Sequence, residues 1–270
     1  MNDFLDELKR RHQLAAANAY PATSAVSEFA NSLVNWLFPE HTGQVMDDAV
    51  LLEQYGRQLE IQLELLLQPM QHQLPESAGN ISRTFMSKVP VIYDELTKDA
   101  NAIFQGDPAA TCLYEVIRAY PGFYAIAFYR MAHALHELNV PLLPRMITEL
   151  AHARTGIDIH PGAVIAPFFC IDHGTGIVIG ETTVIGQHVK LYQGVTLGAL
   201  SIEKTMARSK RHPTIGDHVV IYAGATILGG DTIIGHHSVI GGNVWLIRSV
   251  EPFSRIYYKA EHKYLESNHE

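Results

Sequence analysis

The sequence predicts two unlike parts in one chain: a helical N-terminal domain over 1–154, then a left-handed parallel β-helix over 155–250. Three observations predict this. Apolar residues recur at helical spacing through the first half. Near residue 156 that pattern stops, and glycine, isoleucine and valine take over. From there a six-residue period runs almost to the end, the mark of a hexapeptide solenoid.

The helices come first. Segment 51–67 places leucine and isoleucine at helical spacing, with glutamate and glutamine between them; 31–38 and 91–104 read the same way. Asp107-Pro108 reads as a helix start, because aspartate caps free N–H groups and proline fits the first helical position. The helix it opens spans 109–120, Pro121-Gly122 interrupts it, and 123–138 resumes it. After Pro141 and Pro144 a last helix covers 145–154.

The solenoid is read from its inward residues. Ile159, Ile165 and Ile171 stand six apart; Ile179, Ile185, Leu191 and Leu197 follow after a slip, then Ile215, Ile221 and Ile227, then Leu228, Ile234, Ile240 and Leu246. Four residues after the aliphatic position the residue is usually small or β-branched, with Phe169 the exception. Each face of a three-sided coil needs one inward aliphatic residue, and stacked coils bury what no single coil can. Segment 199–213 is polar, basic and aperiodic, so it predicts a loop excursion; 251–270 reads as a C-terminal tail.

Composition narrows the function. Lys and Arg total 20 against 28 Asp and Glu, and no dense basic run exists beyond 208–211, which excludes a nucleic-acid binder. The charged N-terminus lacks the apolar core of a secretory leader, and no apolar run reaches the length of a membrane span. Two cysteines, Cys112 and Cys170, do not make a disulfide framework, so reduced thiols in a cytoplasmic protein are expected.

The chemistry lies in five ordered stretches: DPA at 107–109, GIDIHP at 156–161, IDHGTG at 171–176 running into IVIGET, QGVTLG at 193–198, and RHP at 211–213. Together they resemble the serine O-acetyltransferases, over roughly half the chain, from about 107 to 244. The resemblance implies transfer of an acetyl group from acetyl-CoA to the hydroxyl of L-serine, with no resident cofactor and no metal. It implies a catalytic pair, His173 and Asp158, and substrate contacts at Asp107, Asp172, Arg211, His212 and Glu181. Gly198 and Ala223 take the place of acetyl-CoA contacts. It also implies a homo-oligomer, trimer or hexamer, and feedback inhibition by cysteine.

The chemistry agrees with those residue types. A serine hydroxyl needs a base whose pKa is near the working pH, which histidine supplies. A carboxylate on the far ring nitrogen fixes the tautomer. Asp158 and His173 are fifteen residues apart, near one coil's length, which would set them on one corner of the prism. Arg211 suits the substrate carboxylate as a fork, and Asp107 and Asp172 suit its ammonium. Plainer readings exist for each: corner residues for His173 and Asp158, a helix cap for Asp107, a solvated basic loop for Arg211 and His212, a hydrated corner for Glu181, turn packing for Gly198 and Ala223. His236-His237 would point to opposite faces if on a strand, so a solvated turn is the better reading than a metal pair.

Two departures and two alternatives complete the expectations. The chain lacks the Gly-Val-Pro-Ala segment and the terminal isoleucine of many family members, ending in Ser-Asn-His-Glu, so a complex with O-acetylserine sulfhydrylase is doubtful. An acetyltransferase for another hydroxyl acceptor (a sugar, an antibiotic or homoserine) is one alternative. A zinc hydratase of the same fold, using His160, His173 and His212, is the other.

Overall fold

The computed structural model describes residues 1–17, 20–200 and 209–259. The centre of the expected excursion (201–208) and the end of the expected tail (260–270) lie outside the described residues.

Up to Thr155 the described residues form seven α-helices: α1 (Asn2–Ala17), α2 (Thr23–Leu37), α3 (Ala49–Leu67), α4 (Ala78–Gly106), α5 (Leu113–Ala119), α6 (Pro121–Glu137) and α7 (Leu143–Thr155). Apart from α1, whose described side chains are exposed, each buries an apolar face. In α2 the stripe is Val26, Phe29, Ala30, Leu33 and Val34. Helix α3 starts where the Asp48 carboxylate accepts the Val50 N–H at 2.7 Å.

Three helix expectations need correction. Helix α4 begins at Ala78, well before 91, and runs through Pro90. An interior proline costs about 3 kcal/mol, but Phe85 and Val89 before it and Ile92 and Leu96 after it form one buried stripe, so packing carries the helix across. The helix expected from 109 begins only at Leu113, and Asp107 is the C-terminal cap of α4 rather than a helix start. Pro121-Gly122 opens α6 instead of interrupting a helix. Gly122 is required there, since a Cβ would lie 2.5 Å from the Ile171 carbonyl oxygen.

From Asp158 the chain winds into a left-handed parallel β-helix. The first face holds strands Asp158–Ile159, Val178–Ile179, Thr196–Gly198, Thr226–Leu228 and Trp245–Leu246. The second holds Val164–Ile165, Val184–Ile185, Thr214–Ile215 and Ile233–Ile234. The third holds Cys170–Asp172, Lys190–Tyr192, Val220–Ile221, Val239–Ile240 and Arg255–Ile256. Every neighbour pair is parallel, and the aliphatic residues stack in register: Ile159 on Ile179 on Leu197 on Ile227, with Ile165 on Ile185 on Ile215 on Ile234. All eight are buried. Leu197 pairs with Ile227 across 199–213, so that segment is an insertion into one coil. Arg255–Ile256 pairs with Val239–Ile240, so a strand of the third face lies within the expected tail.

Helices and solenoid share one core. The Arg130 guanidinium grips both Asp99 oxygens at 2.5 and 3.0 Å and Glu95 at 2.9 Å, and donates to the carbonyls of Ile165 and Ala166. Asp99, fully buried, accepts the Phe169 N–H at 2.8 Å. Phe169, the exception to the small-residue rule, therefore marks the seam where helices seal the first coil. Tyr129 bonds the Ala163 carbonyl at 2.6 Å and the Ile165 N–H at 3.2 Å. These side chains satisfy backbone groups that the end of a solenoid leaves unpaired.

Candidate active site

The site residues fall into two groups. The first lies where α4 ends against the third face. Strand Cys170–Asp172 delivers Asp172, and His173 follows in the turn towards the first face with φ 58°, a left-handed conformation that histidine adopts more readily than most residues. The His173 ring is exposed, its Nε2 3.6 Å from an Asp172 oxygen. Asp107 accepts the Tyr120 hydroxyl at 2.7 Å and the Ala109 N–H at 2.8 Å. The Tyr120 hydroxyl first, then that N–H, hold its carboxyl below the usual range; Lys190 and His173 add to this. Tyr120, donating to a carboxylate, is pushed up to about 12.

Lys190 joins the two carboxylates' supports. Its Nζ lies 2.8 Å from Asp172 Oδ2 and 2.7 Å from the Gly106 carbonyl oxygen, and 4.5 Å from the centre of the Tyr192 ring. Burial works against its charge, but the hydrogen bonds to Asp172 and Tyr192 outweigh it and raise its pKa.

The second group lines a cleft of about 240 Å³ formed by Arg145, Asp158, His160, Glu181, Arg211 and His212, beside the first-face strands. Asp158 projects from the first face and meets Arg145 at 3.4 Å; Arg145 also grips Glu149 at 2.5 Å. Arg211 is ion-paired with Glu181. His212 is buried, and its Nδ1 accepts the Thr182 N–H at 3.0 Å, leaving Nε2 to carry the proton of the neutral ring. Burial, then Arg211, lower its pKa to about 4. Gly180 makes room for it: a Cβ would sit 2.0 Å from His212 Cδ2. Lys210 anchors the returning loop on the carbonyls of Thr182, His212 and Pro213 at 2.7, 2.5 and 3.2 Å.

The expected corner shared by Asp158 and His173 is not found. Among the described residues no hydrogen bond or ion pair joins them; Asp158 faces Arg145, and His173 faces Asp172. The slip of two residues after Ile171 falls in the His173 turn, and the register pairs Asp158 with Val178, not with His173. Nor do His160, His173 and His212 converge. Among the described residues the trio of acidic and histidine ligands close enough for one ion is Glu149, His152 and Asp158, and Arg145 already pairs with both its carboxylates. Gly198 ends a first-face strand, in register with Leu228. Ala223 lies in a turn entering that face, and its carbonyl accepts the Asn243 N–H at 2.9 Å.

No protein-family model matches the chain. The plasmid serine acetyltransferase of Synechococcus elongatus is 44% identical over 264 residues, covering 88% of this chain and 82% of that protein. The chain belongs to the serine acetyltransferase family. The Bacillus subtilis serine acetyltransferase is 45% identical over 161 residues, 60% of this chain and 72% of that protein. Among solved structures, serine acetyltransferase 1 of Entamoeba histolytica in complex with L-cysteine matches with a TM-score of 0.76 at 34% identity, covering 89% of this chain and 88% of that one. A serine acetyltransferase in complex with CoA matches with a TM-score of 0.58 at 27% identity, over 87% of this chain and 96% of that one.

For this serine acetyltransferase, the motif reading missed Tyr120, Arg145 and Lys190. A signal for Lys190 was present. The residue before each inward aliphatic points outward, and that slot holds Val at 164, 178, 184, 220 and 239. Asp158, Lys190 and Arg255 are the charged occupants of the slot among the strands described. Tyr120 and Arg145 carry no such signal, because only the packing of α5 on α4 and of α7 on the solenoid brings them to the site.

Proposed function

We propose that this enzyme, which moves the acetyl group of acetyl-CoA to L-serine, performs the transfer in a site closed between two copies of the chain. His173 comes from one copy and Asp158 from the next. One observation carries this reading: groups matched to the two ends of one serine occupy two separate groups in one chain. Asp107 and Asp172, suited to an ammonium, lie beside His173; Arg211 and His212, suited to a carboxylate, line the cleft with Asp158. A contact between two unlike patches is heterologous, and one that closes forms a ring. A three-sided prism suits a trimer, and helical contacts between two trimers would make the hexamer.

In such a site His173 takes the proton from the serine hydroxyl while the oxygen attacks the thioester carbonyl. The new C–O bond gives a tetrahedral intermediate. The C–S bond then breaks, and the imidazolium returns its proton to the departing thiolate, leaving O-acetylserine and CoA. Asp158 of the neighbouring copy holds the ring in the tautomer that accepts this proton. Base catalysis of this kind is worth about 10²–10⁴-fold. The Arg211 fork and the His212 Nε2–H bind the substrate carboxylate, and Glu181 orients Arg211. Lys190 offsets one of the two carboxylates, so the Asp107–Asp172 group carries one net negative charge, matched to one ammonium.

For the acyl donor, Gly176, Gly194 and Gly224 stack along the edge below His173. With no side chain at these three positions, a slender pantetheine arm fits beside Ala223 and the first-face Gly198. Cysteine presents the same two charged ends as serine and competes for the same site. Among the described residues no helix is long and apolar enough to cross a membrane. The unpaired Cys112 and Cys170 suit a reducing cytoplasm.

The test follows thiol release from acetyl-CoA with serine, homoserine or a simple sugar as acceptor. Serine-dependent release that falls at least 100-fold in His173→Ala is expected. Release with homoserine or the sugar but not serine would overturn the substrate; undiminished release in the variant would overturn the base.

A further inference from the structure

The helical domain holds a cleft of about 220 Å³ where the helical turn Pro39–His41, the end of α5, the start of α6 and the end of α7 meet. His41, Arg118, Tyr120, Tyr124, Arg154 and Thr155 line it, and among the described residues no carboxylate does. Tyr120 gives its hydroxyl to Asp107; the other five have no part in the transfer. Arg118 Nη1 donates to the Glu40 carbonyl at 2.8 Å and to the His41 carbonyl. The Arg154 guanidinium lies over the Tyr124 ring, 4.3 Å from its centre. Backbone and ring fix where the two cations sit but neutralise neither.

Acidic residues outnumber basic ones by 28 to 20, yet among the described residues Arg118 and Arg154 ion-pair with no carboxylate. Their field reaches His41. Burial, then Arg118, lower its pKa, and Arg154 adds to this while Glu40 opposes it. His41 Nε2 is buried without a hydrogen-bond partner. Tyr120 and Pro121 bring the N-terminal end of the 17-residue α6 to the same cleft, which adds a partial positive charge. Two guanidinium forks suit a tetrahedral oxyanion, whose oxygens accept paired hydrogen bonds from each. Sites for drug-sized molecules run to roughly 300–1,000 Å³, so this smaller cleft suits a small ion. Both arginines are exposed, so a dissolved anion reaches them directly.

We propose that this cleft binds one tetrahedral oxyanion per chain, a phosphate or a sulfate, between Arg118 and Arg154. The two arginines come from helices far apart in sequence, so the bound ion ties the end of α5 to the end of α7. A ligand that binds only the folded state raises its stability.

The test is calorimetric titration of the full chain with sodium phosphate and with sodium sulfate, against sodium acetate and sodium chloride at equal ionic strength, with melting followed alongside. One phosphate or one sulfate per chain is expected, with acetate and chloride at least tenfold weaker. Arg118→Met and Arg154→Met should each weaken oxyanion binding at least tenfold, while serine-dependent thiol release, assayed without added oxyanion, stays unchanged. Arg154→Met keeps the Arg118 bonds to the Glu40 and His41 carbonyls, so it separates loss of the site from loss of that anchor. Sulfate and phosphate also stabilise folded proteins in general, so the melting rise that counts is the part lost in the variants. Failure of both oxyanions to bind, acetate binding as tightly, or binding that persists unaltered in the double variant would overturn the proposal.

Discussion

The ammonium of Lys190 lies 2.8 Å from the Asp172 carboxylate and 2.7 Å from the carbonyl of Gly106, the residue just before Asp107. One half-buried side chain thus ties the end of a 29-residue helix to the strand that carries Asp172. The two carboxylates that flank His173 owe their relative position to it.

Lys190→Met should therefore raise KM for serine more than it lowers kcat. Leaving a partly buried carboxylate unpaired costs about 1–3 kcal/mol, or roughly 5- to 150-fold in kcat/KM. Lys190→Arg, which keeps the charge, should recover part of the loss. Steady-state kinetics with serine varied at saturating acetyl-CoA measures both; equal losses in the two variants would point to a packing role only.

Gly180→Ala is the second prediction. The added Cβ would meet His212 Cδ2 at 2.0 Å, so the imidazole must leave its place on Thr182. Gly180 is not among the residues with positive φ, so the fold should hold. The expected outcome is a KM for serine raised about tenfold, one lost hydrogen bond to a charged group, with an unchanged far-ultraviolet spectrum.

Stability should depend on pH through His212. Its folded pKa, about 4, lies below the ordinary 6.5, so the unfolded chain takes up the proton first as pH falls. The neutral buried ring contributes fully above pH 6.5, and that contribution is lost as pH falls from 6.5 towards 4. The difference between 6.5 and about 4 is worth about 3 kcal/mol. Urea melts between pH 7.5 and 4.5 should show this slope in the parent chain and a shallower one in His212→Gln.

The seam between helices and solenoid gives a stability prediction. Asp99→Ala leaves the buried Arg130 guanidinium with only Glu95 as a charged partner, at a cost of about 3–5 kcal/mol. The double variant Asp99→Leu with Arg130→Met should lose less than the single, because no uncompensated charge remains. Denaturant midpoints compare them.

Much of the fold was legible because its rules are local. Ile159, Ile179 and Leu197 recur at fixed spacing because each coil repeats one backbone path, and their burial follows. Pro90 was misleading for the opposite reason: the stripe that carries α4 across it is set by packing with other helices. Asp107 looked like a helix start because its side chain does accept an N–H two residues on, but that N–H belongs to a turn. The individual site residues stood out by motif. Their division into two groups did not, since the slip at the His173 turn breaks the simple count of residues per coil.

If His173 and Asp158 act across copies, as proposed, two inactive variants should complement each other. His173→Ala and Asp158→Ala should each be nearly inactive alone. Co-expressed and purified as mixed rings, an intact His173 of one variant meets an intact Asp158 of the other at one contact in each mixed trimer. With equal expression about a quarter of parental activity should return, the share expected from random ring assembly. Mixed rings as inactive as either variant alone would show that the two residues do not act across copies.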